Sequence, residues 1–352
     1  MQSLTQSIAA GRHAGLAAQR LFTLPAQRPP WTATALPLRR GQAYTLLASG
    51  RIQWSRHDPK LYGGAGFHLW ARVSPGGQVV NVTRDSGSFV ADVDGELELG
   101  IYLGMWRDRF GTLATPAAAY AKLHGALQVL VLVWQSTAQS GLADLAQQIS
   151  DPALTTEIAR LAQPVALPAA WHYLFETGTT DIYRDCSNAA GARICLAADD
   201  DQGILRKAVD FPLTPATTLA WRWRLDHHPS RQPENVATSH DYISVGAEFD
   251  NGRDLTWIWS SCLAPASWFA CPIKAWSARE THYVVRSGRA AATHWLREAR
   301  AVHADVAVAM GSPPARIVGI WLICVASFQH GRARAAFADI VLGDGKQRLQ
   351  VL

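Results

Sequence analysis

Short runs of alternating apolar and polar residues, separated by glycine- and proline-containing turns, restrict the fold of this chain more than any other feature. The clearest run follows the turn at Asp94-Gly95. Its Leu97, Leu99 and Ile101 share one face, as in a strand with one buried side. Similar segments lie at 42–50, 67–73, 79–83 and 89–93. Short strands at this spacing, without helical periodicity, predict an antiparallel β-sandwich over residues 31–135.

The pattern changes in the middle of the chain and then returns. Two segments on either side of Asp151-Pro152 carry apolar residues at helical spacing, and prolines end that pattern. We therefore assign residues 136–170 to a helical linker and residues 1–30 to an N-terminal segment with a short helix. Residues 171–352 are predicted to form a second, jelly-roll-like sandwich. The predicted fold class is all-β: two antiparallel β-sandwiches, of jelly-roll or galactose-binding-like type, joined by a short helical linker.

The charge is spread too thinly for a nucleic-acid-binding protein. The chain has 33 Lys and Arg against 28 Asp and Glu, a net charge of +5, but its densest basic spots are pairs such as Arg39-Arg40. Nucleic-acid-binding proteins concentrate basic residues on one face. No apolar run reaches the roughly 20 residues that cross a bilayer, and the first 24 residues lack the apolar core of a secretory signal. We expect no nucleic-acid partner and no membrane span, and the sequence leaves the oligomeric state open.

Four of the 5 cysteines form two pairs with equal spacing. Cys186 and Cys195 flank a glycine-containing turn, and Cys262 and Cys271 flank another loop. Each pair could close a small disulfide loop, which would imply a periplasmic or extracellular location. Buried free thiols are the alternative that the sequence leaves open. We expect the Cα atoms of the first pair to lie within the ~4.4–6.8 Å range of disulfides, and the same test applies to the second pair.

Several blocks of the second half resemble bacterial domain of unknown function family 3047. They are Trp221-Arg-Trp223, residues 240–249, Leu255-Thr-Trp-Ile-Trp259, residues 283–288 with Trp295, and residues 336–340. The resemblance covers about residues 171–343 and implies a β-sandwich without an assigned chemistry. Where that family has an Asp-rich segment before its last strand, this chain has Val325-Ala-Ser-Phe-Gln-His330.

The first half is similar to the galactose-binding-like sandwich of calcium-dependent bacterial galactophilic lectins. The similar segments are residues 38–50, 89–91 and 94–99. In those lectins an Asn-Asp pair and an Asn-rich loop hold calcium and sugar, whereas this chain has Gly104-Met-Trp-Arg-Asp-Arg-Phe-Gly111 there. Calcium requires about 6–8 oxygen ligands, and Asp108 between two arginines supplies few. The resemblance implies the fold, and we expect no calcium site and no other cofactor.

The chain lacks the sequence motifs of common hydrolases, metalloproteases and nucleotide-binding proteins. A long polar loop at 226–241 holds five potential metal ligands: His227, His228, Glu234, His240 and Asp241. Their spacing matches no standard metal site, so we predict no metal ligands. If the chain is an enzyme, the candidate catalytic residues are His240, Tyr242 and Glu248, with His240 and Tyr242 as a base–acid pair. The reaction class would be that of a β-sandwich polysaccharide lyase or glycoside hydrolase.

Tryptophan enrichment favours sugar binding, because flat aromatic faces stack on sugar rings. Asn251-Gly252 signals a two-residue hairpin turn. That turn pairs Gly246 with Trp257 and Ser244 with Trp259. Both tryptophans then stand beside Glu248 on an exposed face. A three-residue turn would shift the register by one and send both tryptophans to the core.

Alternation within another strand directs two arginines outward. Trp221 and Trp223 share a face with leucines and are assigned to the core, which sends Arg222 and Arg224 to the opposite face, toward an acidic ligand. We therefore predict a carbohydrate-binding protein of two modules that recognises a polysaccharide or glycoconjugate through an aromatic face. The predicted ligand-binding residues are Trp257, Trp259, Glu248, Arg222 and Arg224. The first alternative is the lyase or hydrolase, and the second is a structural envelope or adaptor protein without a ligand.

Overall fold

The chain folds into two compact units, and each is built from β-sheets packed as a sandwich. The computed structural model describes residues 1–28, 30–292 and 294–352. Unit 1 comprises Met1–Pro164 with Gly178–Thr180, and unit 2 comprises Val165–Thr177 with Asp181–Leu352. The prediction of an all-β chain of antiparallel sandwiches is confirmed.

Unit 1 contains two antiparallel sheets. Its strands are Leu16–Pro25 (β1), Trp31–Leu38 (β2), Ala43–Gln53 (β3), Tyr62–Gly63 (β4), Leu69–Ser74 (β5), Val80–Asn81 (β6), Ser86–Val90 (β7), Gly95–Ile101 (β8) and His124–Trp134 (β9). One sheet has the order β1-β9-β3-β4 with β7 also beside β3, and the other has the order β2-β8-β5-β6. Leu97, Leu99 and Ile101 of β8 are buried between the sheets, as their alternation predicted.

Helices cover the outer face of the larger sheet of unit 1. The α-helices of this unit are Gln2–Ala10 (α1), Ala65–His68 (α2), Ala138–Gln148 (α3) and Pro152–Ala162 (α4), with a 3₁₀ helix at Ala117–Lys122. Leu142 of α3 and Leu154 of α4 pack with Leu47 and Leu130, which point away from the inter-sheet core. The segment predicted as a linker is therefore part of unit 1 up to Pro164.

The N-terminal segment also contributes to the sheet of unit 1. The structure has a helix at Gln2–Ala10, and the chain then enters β1, which pairs with β9 over its whole length. This strand was not predicted, because the burial of its residues does not alternate. The sandwich thus begins before residue 31.

Unit 2 contains a seven-stranded and a six-stranded sheet. Its strands are Trp171–Tyr173 (β10), Tyr183–Asp185 (β11), Arg193–Asp199 (β12), Gln202–Pro212 (β13), Thr218–His227 (β14), Tyr242–Phe249 (β15), Asp254–Ser260 (β16), Trp268–Ala270 (β17), Glu280–Ser287 (β18), Leu296–Ala301 (β19), Arg316–Val325 (β20), Arg332–Gly343 (β21) and Arg348–Gln350 (β22), with one α-helix at Val302–Met310 (α5) and a 3₁₀ helix at Ala237–Ser239. The orders are β10-β13-β20-β15-β16-β18-β17 and β11-β12-β21-β14-β19, with β22 also beside β21. Neighbouring strands are antiparallel except for β16 and β18, which are parallel.

The seven-stranded sheet is buried on both faces. Its inner face forms the main core with the six-stranded sheet and includes Val245 and Trp257. Its outer face carries a smaller apolar cluster that includes Tyr242, Ile258 and Val284. Every residue of β16 is consequently buried. Loops enclose the side chains on this outer face, so the predicted site residues that point there are shielded from solvent.

The two cysteine pairs differ. Cys186 and Cys195 form a disulfide with a Cα–Cα distance of 5.8 Å, as predicted. Cys262 and Cys271 are both free, one exposed and one buried, so the prediction for that pair is wrong. Among the residues that the structure describes, no helix has the length and apolar character to cross a membrane.

Candidate functional site

The predicted tryptophan platform on the β15–β16 hairpin does not exist. The register pairs Val245 with Trp257 and Glu248 with Asp254, one residue away from the prediction. The turn has three residues, because the Phe249 amide donates to the Arg253 carbonyl at 2.9 Å. Gly252 has a φ of +76° and supplies the left-handed position of this longer turn.

Both tryptophans therefore lie in the main core of unit 2. The side chains of Trp257 and Trp259 are 0% and 6% exposed. The Trp257 indole donates to Asp305 at 2.8 Å, and the Trp259 indole donates to the Gly288 carbonyl at 2.9 Å. These contacts are those of core residues with satisfied polar atoms, so neither tryptophan is available to a ligand.

Glu248 lies on the opposite face of the sheet from these tryptophans, within a network of arginines. Its carboxylate accepts from Arg206 at 2.7 Å and from Arg279 at 3.2 Å. The Trp321 indole also donates to it, at 3.3 Å. Because Glu248 and the two tryptophans lie on opposite faces of the sheet, their predicted partnership is wrong.

His240 and Tyr242 are close together, as a base–acid pair would be, but they are buried. Their ring centroids are 4.7 Å apart, and the two residues are 2% and 3% exposed. The Tyr242 hydroxyl donates to Glu280 at 2.9 Å. Burial raises the pKa of Tyr242 well above its usual value, and the adjacent Glu280 adds to this effect. A substrate would have to displace the covering loops to reach this pair.

The structure groups His240 with three residues that sequence reasoning missed. His240, Cys271, Glu280 and His282 place four potential ligand atoms within 4.8 Å of one another, and all four residues are buried. We call them the His–Cys–Glu cluster. Glu280 and His282 lie two apart on β18 and therefore share its outer face. That spacing was the one signal in the sequence, since the other two members come from separate loops.

Burial keeps both histidines of the cluster neutral. It lowers the pKa of His240 to about 4, and it lowers the pKa of His282 well below its usual value, with the neighbouring His240 adding to the effect. Burial raises the pKa of Glu280 to about 7. Neutral imidazole is the form that binds metal ions. Within the described residues, His282 Nε2 is a buried nitrogen without a hydrogen-bond partner, which costs about 1–3 kcal/mol in an interior.

The second group of polar residues lies on the outer face of the six-stranded sheet. Trp221 and Trp223 are in the core, so Arg222 and Arg224 point outward, as the alternation predicted. The partly exposed ring of Trp295 lies near both, with its centroid 5.5 Å from the Arg222 guanidinium carbon and 5.9 Å from that of Arg224. We call this surface the arginine–tryptophan face, and it also includes Arg193, which is 5.5 Å from the same ring.

Cross-strand pairing crowds positive charge on the arginine–tryptophan face. Arg222 is directly opposite Arg297 on β19. On its other side it is opposite Ala338 of β21, which is in turn opposite Arg193 of β12. Directly paired residues share a face, and like charges in such pairs destabilise a sheet. The repulsion between these arginines therefore lowers the stability of the folded protein.

Two carboxylates offset part of this charge. Arg222 pairs with Asp339 at 2.5 Å, and Arg224 pairs with Asp226 at 2.9 Å. The acidic side chains are 53% and 43% exposed, so water screens these pairs and the net attraction is weak. Among the described residues, Arg193 has no ion-pair partner.

Comparison with known proteins supports the resemblance of the second half to a family of unknown function. Residues 171–341 match the model of the family described as "Protein of unknown function (DUF3047)". A solved structure described as "EclA N-terminal domain; PllA-like lectin" covers 32% of this chain and 94% of its own, at 18% identity and a TM-score of 0.25. A carbohydrate-binding module "from the beta-sandwich super family" covers 93% of this chain and 98% of its own, at 8% identity and a TM-score of 0.22. No curated protein matches the chain significantly.

Proposed function

We propose that unit 2 binds an anionic polysaccharide on the arginine–tryptophan face. The observation that carries this proposal is the grouping of Arg193, Arg222 and Arg224 around the partly exposed ring of Trp295. Guanidinium groups recognise carboxylates by paired, parallel hydrogen bonds. An aromatic ring contributes an apolar surface that suits the face of a sugar ring. A polymer of uronic acids presents both features in each residue.

The charge arrangement supports an anionic rather than a neutral ligand. Arg222 is directly opposite Arg297 on the neighbouring strand, and the carboxylate that pairs with Arg222, that of Asp339, is 53% exposed to water. The like charges of these arginines repel each other in the free protein. A ligand carboxylate between them would relieve this repulsion, which favours binding of an anionic ligand. The edge of a neutral sugar offers no such compensation.

Titration of the full chain with polygalacturonate, with dextran as the neutral comparison, tests the proposal. We expect binding of polygalacturonate that weakens as sodium chloride is added, because exposed charges are screened by salt. Trp295→Ala should weaken binding by about tenfold, equivalent to about 1.4 kcal/mol. Arg222→Gln should weaken it by a similar factor. Circular dichroism establishes that both variants remain folded.

Arg316→Gln is the matched control for charge. Arg316 is also an exposed arginine paired with a carboxylate, that of Asp210 at 2.5 Å, but it lies on β20 of the other sheet. Its replacement removes the same charge and should leave the affinity unchanged. Equal losses in Arg316→Gln and Arg222→Gln would mean that only net charge attracts the polymer, and the proposed face would be wrong.

A further inference from the structure

We propose that the His–Cys–Glu cluster is a structural site for one zinc ion. The four residues offer two imidazole nitrogens, a thiol sulfur and a carboxylate oxygen, which are the donor types of zinc sites in proteins. The site is independent of the arginine–tryptophan face, because it lies on the outer face of the other sheet of unit 2.

The spacing of the donor atoms fits a tetrahedral ion. With metal–ligand bonds of ~2.0–2.3 Å, ligand atoms at the corners of a tetrahedron are about 3.3–3.8 Å apart. Cys271 Sγ is 3.5 Å from His240 Nε2, and His282 Nε2 is 3.6 Å from a Glu280 oxygen. All four atoms lie within 4.8 Å of one another, so a contraction of about 1 Å brings the longest separation into the tetrahedral range.

Both imidazoles are oriented by contacts on their far sides. His240 Nδ1 donates to the Glu234 carbonyl at 2.5 Å. His282 Nδ1 is 2.7 Å from the Thr256 hydroxyl. The Glu234 carbonyl can only accept, and the Thr256 hydroxyl can direct its proton to the Thr281 carbonyl at 3.4 Å. These contacts favour a proton on Nδ1 of each ring, which leaves the Nε2 lone pairs directed into the cluster. Histidine ligands of metals are held in this way by outer hydrogen bonds, which fix both the tautomer and the ring orientation.

Without a metal ion, hydrogen bonds within the cluster leave one buried nitrogen atom unsatisfied. The Cys271 thiol can donate to His240 Nε2, but the corresponding nitrogen of His282 has no donor among the described residues. A metal ion satisfies that lone pair. It also attracts the thiolate and carboxylate forms of Cys271 and Glu280, whose protons pass to solvent on binding.

The donor set selects the metal class and the role of the site. Sulfur and nitrogen donors favour zinc and similar transition metals over calcium or magnesium. Four protein ligands with no exposed position are typical of a structural rather than a catalytic zinc site. An ion bound here would fasten the loops that carry His240 and Cys271 to β18 of the sheet.

Metal analysis of the full-length protein tests the inference. The protein is expressed once with zinc and once with cobalt in the medium, and bound metal is measured by mass spectrometry after dialysis against a mild chelator. We expect one equivalent of either metal per chain. The cobalt form should show the thiolate-to-cobalt charge-transfer band and the intense visible bands of a tetrahedral site.

Matched cysteine variants show which thiol gives rise to the charge-transfer band of the cobalt form. The double variant Cys262→Ser/Cys324→Ser removes the other free thiols and should keep both metal and band. Cys271→Ser should lose the charge-transfer band, and His282→Asn should lose most of the metal. Absence of metal and band from the folded double variant would overturn the proposal. Retention of full metal content in both Cys271→Ser and His282→Asn would overturn it as well.

Discussion

Replacing Trp257 by phenylalanine distinguishes a core tryptophan from a sugar platform. The indole is 0% exposed and donates to Asp305 at 2.8 Å. Asp305 is also held by Arg300 at 2.6 Å, so it is a charged acceptor in a fixed position. Loss of a hydrogen bond to a charged group costs about 1.5–3 kcal/mol. The smaller ring removes about 1 kcal/mol of apolar burial in addition.

We therefore expect Trp257→Phe to lower the free energy of unfolding of unit 2 by about 2–4 kcal/mol. Urea unfolding of the full chain, followed by circular dichroism, measures this change. The double-mutant cycle with Asp305→Asn should give a coupling of about 0.5–3 kcal/mol, because the two residues are in direct contact.

Trp268→Phe is the matched control. Trp268 is 48% exposed in the same unit, so the same substitution should change stability by no more than about 0.5 kcal/mol. The reasoning is refuted if Trp257→Phe leaves stability as unchanged as Trp268→Phe does while glycan binding is lost. That result would restore the register with the two-residue turn.

Two further predictions concern the disulfide and a buried histidine of unit 1. Cys195→Ser should lower the free energy of unfolding by about 2–3 kcal/mol, because the bridge closes a loop with a sequence separation of 9, whereas the exposed Cys262→Ser should have little effect; urea unfolding of the two variants checks this. Burial lowers the pKa of His68 to about 4, so the unfolded chain binds the additional proton between about pH 6.5 and 4. Stability of unit 1 should be fully present above about pH 6.5 and fall by about 3 kcal/mol as the pH reaches 4. His68→Gln should flatten that dependence in urea unfolding at the two pH values, and an unchanged slope would contradict the assignment to His68.

The fold could be predicted from sequence where the signal is local. Alternation over a few residues identified β8. A strand with one buried face places its apolar residues, such as Leu97 and Leu99, at every second position, and this pattern is visible in a short stretch of sequence. Helical spacing identified α3 and α4, but it does not tell which surface a helix covers. Their apolar faces pack on the larger sheet of unit 1. β1 was missed because both of its faces are partly covered, so its pattern does not alternate.

The sites were harder to predict because they depend on single-residue differences and on distant segments. One additional residue in the turn before Arg253 moved Trp257 from a proposed surface to the core. The outward direction of Arg222 could be predicted from its own strand, while the approach of Trp295 could not, since that residue belongs to a different segment. The His–Cys–Glu cluster combines two loops with one strand, and no spacing within a single segment encodes it.

The parallel pairing of β16 with β18 determines the order in which the seven-stranded sheet can assemble. An antiparallel neighbour is reached by a tight turn, as β16 is from β15, whereas a parallel neighbour requires a crossover. The crossover here runs from Ser260 to Glu280 and contains β17, which becomes the edge strand beyond β18. Local pairings form faster than those that close long loops. The β15–β16 hairpin can therefore form early in folding. β18 can pair with β16 only after the crossover between Ser260 and Glu280 has placed it beside that strand.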